Sequence, residues 1–318
     1  MLRINLLDEL LDKFLNEVPE LIAVLVVDLD GLVIAQKSLK GFDEEIIGAI
    51  MTILDQTINK IKRFTDTSYG SGTFDTNEFR LFYTELVTTK SLFVLVADPY
   101  SNIEQYIPYS YIIADKASQL LNNRETSLNL PKLDIDNNEI YIPDDNSADG
   151  KTEYNKVVII GPQQVGKTTL LNMYVNGEFE QNYRPTIGVH FIEKSFQLTN
   201  RLQLKFYIFD LSGVKSFGKI RRFYYPDSQA VILLFDYSNP ESLEKINEWF
   251  EEARHFIEDN STIYLLVGNK IDLVGDRLNL KEKAEKIATQ YGCNFFEISA
   301  ATGEGIDELF TYLVSNTM

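Results

Sequence analysis

The chain has 318 residues, about twice the commonest domain size, and this length predicts two compact domains. Its apolar content of 44% is that of an ordinary folded protein, and no stretch approaches the ~18 uninterrupted apolar residues that a membrane helix needs. The formal charge of −17 argues against a general nucleic-acid binder and against simple electrostatic attachment to anionic lipid.

The chain contains a single cysteine, Cys293, so a disulfide framework is excluded and a reducing, cytoplasmic setting is expected. The N-terminus, "MLRINLLDELLDKFL", carries acids among its leucines, unlike a secretory signal. Because "TYLVSNTM" at the C-terminus holds no cysteine, we expect no prenyl anchor and expect any membrane recruitment to go through a partner.

The first 121 residues predict an α+β domain. Leucines and isoleucines of 2–17 recur at helical spacing, and "LIAVLVVDLDGLVIAQKS" reads as two strands joined by a turn at Asp30-Gly31. The later elements are a helix over 43–64, strands near 68–75, 79–87 and 91–97, and a helix over 102–121. This order predicts a five-stranded antiparallel sheet covered by helices. With no phosphate loop, metal cluster or nucleophile–base pair in its sequence, the domain is interpreted as a binding module.

The opening amphipathic helix and the "VLVVDLDGLVIA" hairpin resemble the Roadblock family of small dimerising domains over about 120 residues. A longin-like domain is the nearest alternative, but longin folds typically begin with the strand hairpin, whereas here a helix comes first. The resemblance implies that residues 1–121 form a dimerisation or regulatory domain through which the chain self-associates.

Residues 122–153 are rich in Asn, Asp, Ser and Pro without a helical or strand period, and they predict an acidic polar linker. Within it, "DNSADG" places Asp145, Ser147, Asp149 and Gly150 at calcium-loop offsets. The twelfth position is Lys156, where a calcium loop requires a bidentate glutamate, so we interpret the spacing as chance.

Residues 154–318 predict an α/β domain, because continuous apolar strands alternate with helical stretches. The predicted strands are 156–161, 201–210, 230–237, 262–269 and 294–299, and the helices begin near 166, 241 and 280 with a last one at the C-terminus. Such a sheet is mainly parallel with helices on both faces, and its ligands lie at the carboxyl ends of the strands.

The segment "GPQQVGKT", beginning at Gly161, fits the phosphate-loop pattern and lies between an apolar strand and a helix, as that motif requires. Gly161 and Gly166 let backbone N–H groups turn toward phosphate oxygens, Lys167 offers its ammonium, and Thr168 offers a hydroxyl to Mg²⁺. Asp210, which leaves the "FYIFD" strand, is positioned to hold the same metal, directly or through water.

The segment "GNKID" favours guanine over adenine as the base. Asp272 can accept two hydrogen bonds from the N1–H and N2 amino group of guanine, which adenine lacks, with a discrimination of as much as ~10⁴-fold. Asn269 and Lys270 are expected to support the base, and Ala300 in "ISA" to give its N–H to the guanine oxygen. The alternative, an ATP-dependent phosphate-loop enzyme, requires Asp272 to be accidental.

With these motifs, residues 155–318 resemble a Ras-superfamily small GTPase, a P-loop NTPase G domain, of the Rab-like branch; "YRPTIGVHF", "DLSG" and "EISAATGEG" add to the similarity. The resemblance implies GTP/GDP and Mg²⁺ as ligands, and effector, exchange and activating proteins at switches I and II. It assigns Thr186 to Mg²⁺ and the terminal phosphate, Phe179 to packing against guanine, and Gly213 to the terminal phosphate. The residues assigned to the nucleotide are Gly161, Gln164, Val165, Gly166, Lys167, Thr168, Thr169, Phe179, Thr186, Gly213, Asn269, Lys270, Asp272, Ser299 and Ala300, with Thr168, Thr186 and Asp210 on the metal.

Two positions depart from that family pattern and predict slow hydrolysis. Val214 stands directly after Gly213, where efficient members carry a water-orienting glutamine, and Gln163 replaces a small phosphate-loop residue. Unassisted Ras turnover is already only ~3–5 × 10⁻⁴ s⁻¹, so we expect a rate near or below it. The candidate catalytic residues are Lys167, Thr186, Gly213 and Gln163. Gln163 or Gln164 either supplies the missing carboxamide or is a tolerated loop residue.

Two basic features near the switches have alternative interpretations. Arg184 is an internal arginine finger or an exposed effector-binding residue, and "KIRRFYY" (219–225) is a solvated cationic surface or a dock for the acidic N-terminal domain. The sequence as a whole predicts a GTP-binding switch with slow hydrolysis, regulated by a module in the same chain. The alternative is a GTP-bound scaffold that does not cycle.

Overall fold

The structure, a computed structural model, describes residues 2–39, 50–51, 70–86, 88–143, 151–179, 186–199 and 202–317. The chain divides into two compact units, Met1–Asn129 and Leu130–Met318. Nearly all of the predicted helix over 43–64, the calcium-like offsets around "DNSADG" and Arg184 lie outside the described residues.

The N-terminal unit contains the predicted antiparallel sheet. Its elements are α1 (Leu2–Glu17), β1 (Leu21–Asp28), β2 (Val33–Ser38), β3 (Ser71–Asp75), β4 (Arg80–Leu86), β5 (Ser91–Ala97) and α2 (Ile107–Leu121), the last preceded by a 3₁₀ turn at Ile103–Tyr106. The strand order is β2-β1-β5-β4-β3, and every neighbouring pair is antiparallel. The predicted five-stranded sheet is therefore confirmed.

The predicted turn between β1 and β2 is also present, and the side chain of Asp28 organises it. The Asp28 carboxylate accepts hydrogen bonds from the backbone N–H groups of Asp30 (2.9 Å) and Leu32 (2.8 Å). Gly31 has a φ of +86°, a conformation that glycine adopts without steric cost. The turn therefore has the left-handed backbone that the Asp-Gly pair predicts.

The C-terminal unit is an α/β domain. Its elements are β6 (Lys132–Asp134), β7 (Glu139–Tyr141), β8 (Lys151–Ile160), α3 (Lys167–Asn176), β9 (Val189–Thr199), β10 (Leu202–Leu211), α4 (Gly218–Arg221), β11 (Ala230–Asp236), α5 (Glu241–Glu244), α6 (Ile246–Phe256), β12 (Ile263–Asn269), α7 (Leu278–Tyr291), β13 (Asn294–Glu297) and α8 (Ile306–Asn316). The main sheet has the order β13-β12-β11-β8-β10-β9, and its neighbours are parallel except β10 and β9. The mainly parallel sheet is confirmed.

Two elements of this unit differ from the sequence prediction. Strand β9, at the edge of the sheet, was not predicted, although Ser195 and Gln197 alternate there with the apolar Phe196 and Leu198. This alternation is typical of an edge strand that is solvated on one face. The helix predicted over 241–258 is split into α5 and α6 at Lys245.

The segment predicted as a linker contains a short hairpin. Strands β6 and β7 pair antiparallel, and the division between the two units falls within the segment, after Asn129. The side chain of Ile140 on β7 is fully buried, and its carbonyl accepts a 2.5 Å hydrogen bond from Lys156 Nζ on β8. Strands of three residues are too short to show a periodic pattern, so these two strands could not be predicted.

No helix among the described residues has both the length and the apolar character needed to cross a membrane.

Candidate functional site

The candidate site lies where the parallel strands of the C-terminal unit end. The phosphate-loop sequence follows β8, the "DLSG" segment closes β10, Asp236 ends β11, and "NKID" follows from β12. Carboxyl ends of parallel strands share one edge of the sheet, and the contacts below join these loops to one another.

The glycines of the phosphate loop occupy positions that no other residue fits. Gly161 has a φ of +141°, and a Cβ there would lie 2.3 Å from the Leu234 carbonyl oxygen. Gly166 has a φ of +97°, and a Cβ would lie 2.3 Å from Asn269 Nδ2. Both the backbone conformation and the close approach of neighbours therefore require glycine.

Lys167 is buried inside this loop, with 6% of its surface exposed. Its Nζ donates hydrogen bonds to the carbonyls of Gly161 and Pro162, both at 2.8 Å. Burial lowers the pKa of Lys167 to about 8, with Asp210 opposing the shift and Arg221 adding to it. The Lys167 ammonium is therefore held inside the loop by two carbonyls of the same loop.

Three side-chain oxygens meet beside Lys167. Thr168 Oγ1 is hydrogen-bonded to Asp210 Oδ2 and lies 2.7 Å from Thr186 Oγ1, and Thr186 Oγ1 lies 3.4 Å from the same Asp210 oxygen. Asp210 is fully buried. One carboxylate and two hydroxyls are hard oxygen ligands of the kind that Mg²⁺ prefers alongside phosphates and water. The described residues contain no cluster of three or more His, Cys, Asp or Glu suited to a metal, so this oxygen group is the cation candidate among them.

Asn269 joins two loops of the site. Its Nδ2 donates to the Val165 carbonyl at 2.8 Å, and its Oδ1 accepts from the Ala300 N–H at 2.9 Å. The side chain is 1% exposed. In this structure Asn269 therefore fixes the phosphate loop to the loop after β13, and the Ala300 N–H assigned to guanine is bonded to Asn269.

Lys270 connects the segment after β12 to the phosphate loop and to the end of β11. Its Nζ donates to the Gln164 carbonyl at 2.7 Å and forms a 2.6 Å ion pair with Asp236 Oδ2. Asp236 was not among the predicted site residues. It ends the buried strand β11, and ligands of a parallel sheet lie at the carboxyl ends of its strands. The first contact holds the "NKID" segment against the phosphate loop, and the second holds it against the end of β11.

Two of the residues predicted to contact the base, Asp272 and Phe179, are accessible, whereas Asn269 and Ala300 are buried. Asp272 is exposed, and its Oδ1 accepts a 2.5 Å hydrogen bond from the buried Ser299 hydroxyl, which orients the carboxylate. Phe179, assigned to packing against guanine, is 46% exposed. The remaining predicted nucleotide residue, Thr169, lies in the first turn of α3.

The segment after β10 lies against the phosphate loop. A Cβ on Gly213 would approach Gln163 N to 2.7 Å and the Gly161 carbonyl oxygen to 2.8 Å, so glycine permits this contact. Val214 follows with extended backbone and is half-buried. No carboxamide stands at this position, as the sequence indicates, and Gln163 is exposed on the loop.

The interpretation of "KIRRFYY" as a solvated cationic surface is wrong for most of the run. Phe223, Tyr224 and Tyr225 are buried, and Arg221 is 4% exposed and paired with Glu252. Only part of the run, including Arg222, is exposed. The sequence missed Arg221 because its partner lies in a different helix, and nothing local marks the pair.

Comparison with known proteins agrees with this architecture. The Ras family model matches residues 156–318, and the Roadblock/LC7 domain model matches residues 7–76. Human Ras-related protein Rab-39A is 33% identical over 162 residues, which cover 50% of this chain and 75% of that protein. Ras-related protein RabC of Dictyostelium discoideum is 32% identical over 162 residues (51% and 82%), and mouse Rab-26 is 34% identical over 157 residues (49% and 60%).

Proposed function

The chain belongs to the Ras family, with a Roadblock/LC7 domain at its N-terminus, and on that premise we propose that it is a GTP-binding switch with slow hydrolysis. The observation that carries the proposal is the buried Lys167 beside the oxygen group of Thr168, Thr186 and Asp210. In this arrangement the Lys167 ammonium can bind a phosphate, and the three neighbouring oxygens can bind a divalent metal.

Mg²⁺ is the cofactor that these oxygens fit. When bound, it supplies positive charge that neutralises the phosphates of the nucleotide. Thr168, Thr186 and Asp210 would hold it, and Lys167 would exchange its loop carbonyls for the outer phosphate oxygens. Because Thr186 belongs to the segment before β9, its bond to the metal would couple that segment to the presence of the terminal phosphate.

Asp272 selects guanine in this proposal. Its carboxylate, held by Ser299, would accept hydrogen bonds from the two donors that guanine presents and adenine lacks. Calorimetric titration of nucleotide-free protein should show that GDP and GTP bind up to ~10⁴-fold more tightly than ATP. Equal affinities for guanine and adenine nucleotides, or no binding of either, would refute the proposal.

Hydrolysis is slow because the position after Gly213 carries no group that orients water. Val214→Gln restores a carboxamide there, and we expect the single-turnover rate of GTP hydrolysis to rise about tenfold or more. The matched control is Val214→Leu, which has similar bulk but no amide and should leave the rate unchanged. If both variants hydrolyse GTP at the rate of the unmodified chain, the explanation through Val214 is wrong.

A second candidate, a GTP-bound scaffold that does not cycle, is favoured by Val214 and Gln163. In a scaffold, single-turnover hydrolysis would be undetectable with or without residues 1–121, whereas a switch would release phosphate slowly but measurably. The intact set of Thr186, Asp210 and Gly213 supports the switch, since a permanent structural nucleotide does not require a segment that responds to its terminal phosphate.

The N-terminal unit completes the proposal as a module for self-association and regulation. Residues 1–121 would form the dimerising part, residues 122–153 the connection, and residues 154–318 the GTPase, with effectors and exchange or activating proteins at the switches. Joining the module to the GTPase in one chain would raise their effective concentration to around the millimolar range. The single cysteine and the acidic charge favour a cytoplasmic protein, with recruitment to membranes through a partner.

A further inference from the structure

Arg221, at the end of α4, is buried and anchored to α6. Its Nε and Nη2 donate to the two oxygens of Glu252 at 2.7 and 2.8 Å, a bidentate pair. The guanidinium carbon lies 4.4 Å from the centroid of the Trp249 ring, and the Tyr225 hydroxyl also donates to Glu252 at 2.8 Å. Nε, Nη2 and the flat face of the guanidinium are therefore held by α6, and Tyr225 binds the same carboxylate.

The third nitrogen of Arg221 reaches the segment after β10. Nη1 donates to the Ser212 carbonyl at 3.0 Å and to the Val214 carbonyl at 2.8 Å. These two carbonyls lie on either side of Gly213 in the chain. One buried cation therefore holds the backbone on both sides of the glycine that packs against the phosphate loop.

Holding the Ser212 carbonyl also orients the Gly213 N–H. The peptide group between these residues is planar, and in the trans form its C=O and N–H point in opposite directions. The structure has no cis peptide bond among the described residues. A rotation of this peptide would break a hydrogen bond to a buried charged group, which is stronger than a bond between neutral groups.

We infer that Arg221 is a positioning residue that holds the Gly213 N–H in the orientation needed to bind the terminal phosphate of GTP. This inference rests on the proposed function, because it concerns the same nucleotide site. Arg221 itself does not touch the nucleotide. It acts through the Ser212 and Val214 carbonyls, and Glu252 and Trp249 keep it in place.

The test compares the affinities of GDP and of a non-hydrolysable GTP analogue in the full chain with Mg²⁺. Arg221→Gln should weaken the analogue about tenfold, the factor expected from one lost hydrogen bond to a charged group, and should leave GDP within about twofold. GDP is spared because it lacks the phosphate that the Gly213 N–H would meet. The control is Arg222→Gln, an exposed neighbour, which should change neither affinity.

Glu252→Gln provides a second variant that keeps the side-chain shape while removing the charge that anchors Arg221. Glu252→Gln should lower the affinity for the analogue by a smaller factor than Arg221→Gln and should again leave the affinity for GDP unchanged. If Arg221→Gln does not fold, this variant provides the test. Emission of Trp249, the only tryptophan in the chain, reports whether each variant is folded. Equal losses for GDP and the analogue, or no loss for either, would overturn the inference. Failure of the unmodified chain to bind guanine nucleotides would instead overturn the proposed function.

Discussion

Two lysines, one within strand β8 and one at the start of α3, share the same burial and the same kind of partners. Lys156, in β8, is 2% exposed, and Lys167, just after the phosphate loop, is 6% exposed. Each Nζ donates to two main-chain carbonyls. Burial lowers the pKa of Lys156 to about 7 and that of Lys167 to about 8. By burial and titration alone, the two positions are nearly the same.

The two lysines differ in where their carbonyl partners lie in the chain. Lys156 binds the carbonyls of Ile140 in β7 and Pro226 after α4, so it joins three parts of the chain that are distant in sequence. Lys167 binds carbonyls of its own glycine-containing loop. A phosphate could replace the carbonyl partners of Lys167 without separating distant segments. At Lys156 the same exchange would break contacts that hold distant segments together. A lowered pKa therefore marks a site only where the surroundings are built to receive a ligand.

Replacing each lysine by methionine, which keeps the unbranched chain, tests this difference most directly. Lys167→Met should lower the affinity for GDP by two to three orders of magnitude, since removal of a buried charge from its pair typically costs about 2–5 kcal/mol. Lys156→Met should leave the affinity within about threefold. Calorimetric titration of both variants measures the contrast, and similar losses in the two would show that the comparison is wrong.

Substitution of one phosphate-loop glycine tests whether the loop around Lys167 needs its observed backbone conformation. Gly166→Ala introduces a Cβ at a φ of +97° and 2.3 Å from Asn269 Nδ2, so we expect GDP to bind about tenfold to a hundredfold more weakly. Gly275→Ala is the matched control, because a Cβ there meets nothing within 4 Å. Unchanged affinity in Gly166→Ala would mean that the loop does not need its observed conformation.

The pH dependence of stability isolates the structural lysine. The pKa of Lys156 is about 7 in the folded chain and 10.5 ordinarily, so between pH 7 and 9 the unfolded state binds more protons at this position. The free energy of unfolding should therefore rise with pH from this group, with a slope of at most about 1.4 kcal/mol per pH unit. Below pH 7 both states are protonated and the slope disappears. Asp227 and Glu139 favour the charged form and oppose the shift.

Urea unfolding followed by Trp249 emission, with saturating GDP, measures this effect in the C-terminal unit. Lys156→Met should lack the contribution, so the stability of the unmodified chain relative to this variant increases from pH 7 to 9. Lys132→Met, at an exposed position of the β6–β7 hairpin that Lys156 contacts through Ile140, should retain the slope of the unmodified chain. A constant difference between Lys156→Met and the unmodified chain across this range would contradict the lowered pKa.

Most of the fold and the main parts of the candidate site could be predicted from local sequence. Gly161, Gly166 and Asp272 were identified because their residue types and their places at strand ends are tied to backbone conformation and to ligand chemistry. Two further features could also have been predicted: strand β9 from its alternation of polar and apolar residues, and Asp236 from its place at the end of β11. The hairpin of β6 and β7 left no signal, because three-residue strands are stabilised by what they pack against.

The sequence by itself determined the two domain types, the phosphate-loop motif and the "NKID" motif, since each depends on residues close together in the chain. Only the tertiary structure decided that Arg221 is buried against Glu252 and that Asn269 joins two loops. It also decided that Lys156 binds carbonyls of distant segments, whereas Lys167 binds carbonyls of its own loop. The physical reason is that a charged side chain has the same local pattern whether it is solvated or buried. Its state depends on whether packing brings acceptors from distant segments to compensate for the lost hydration.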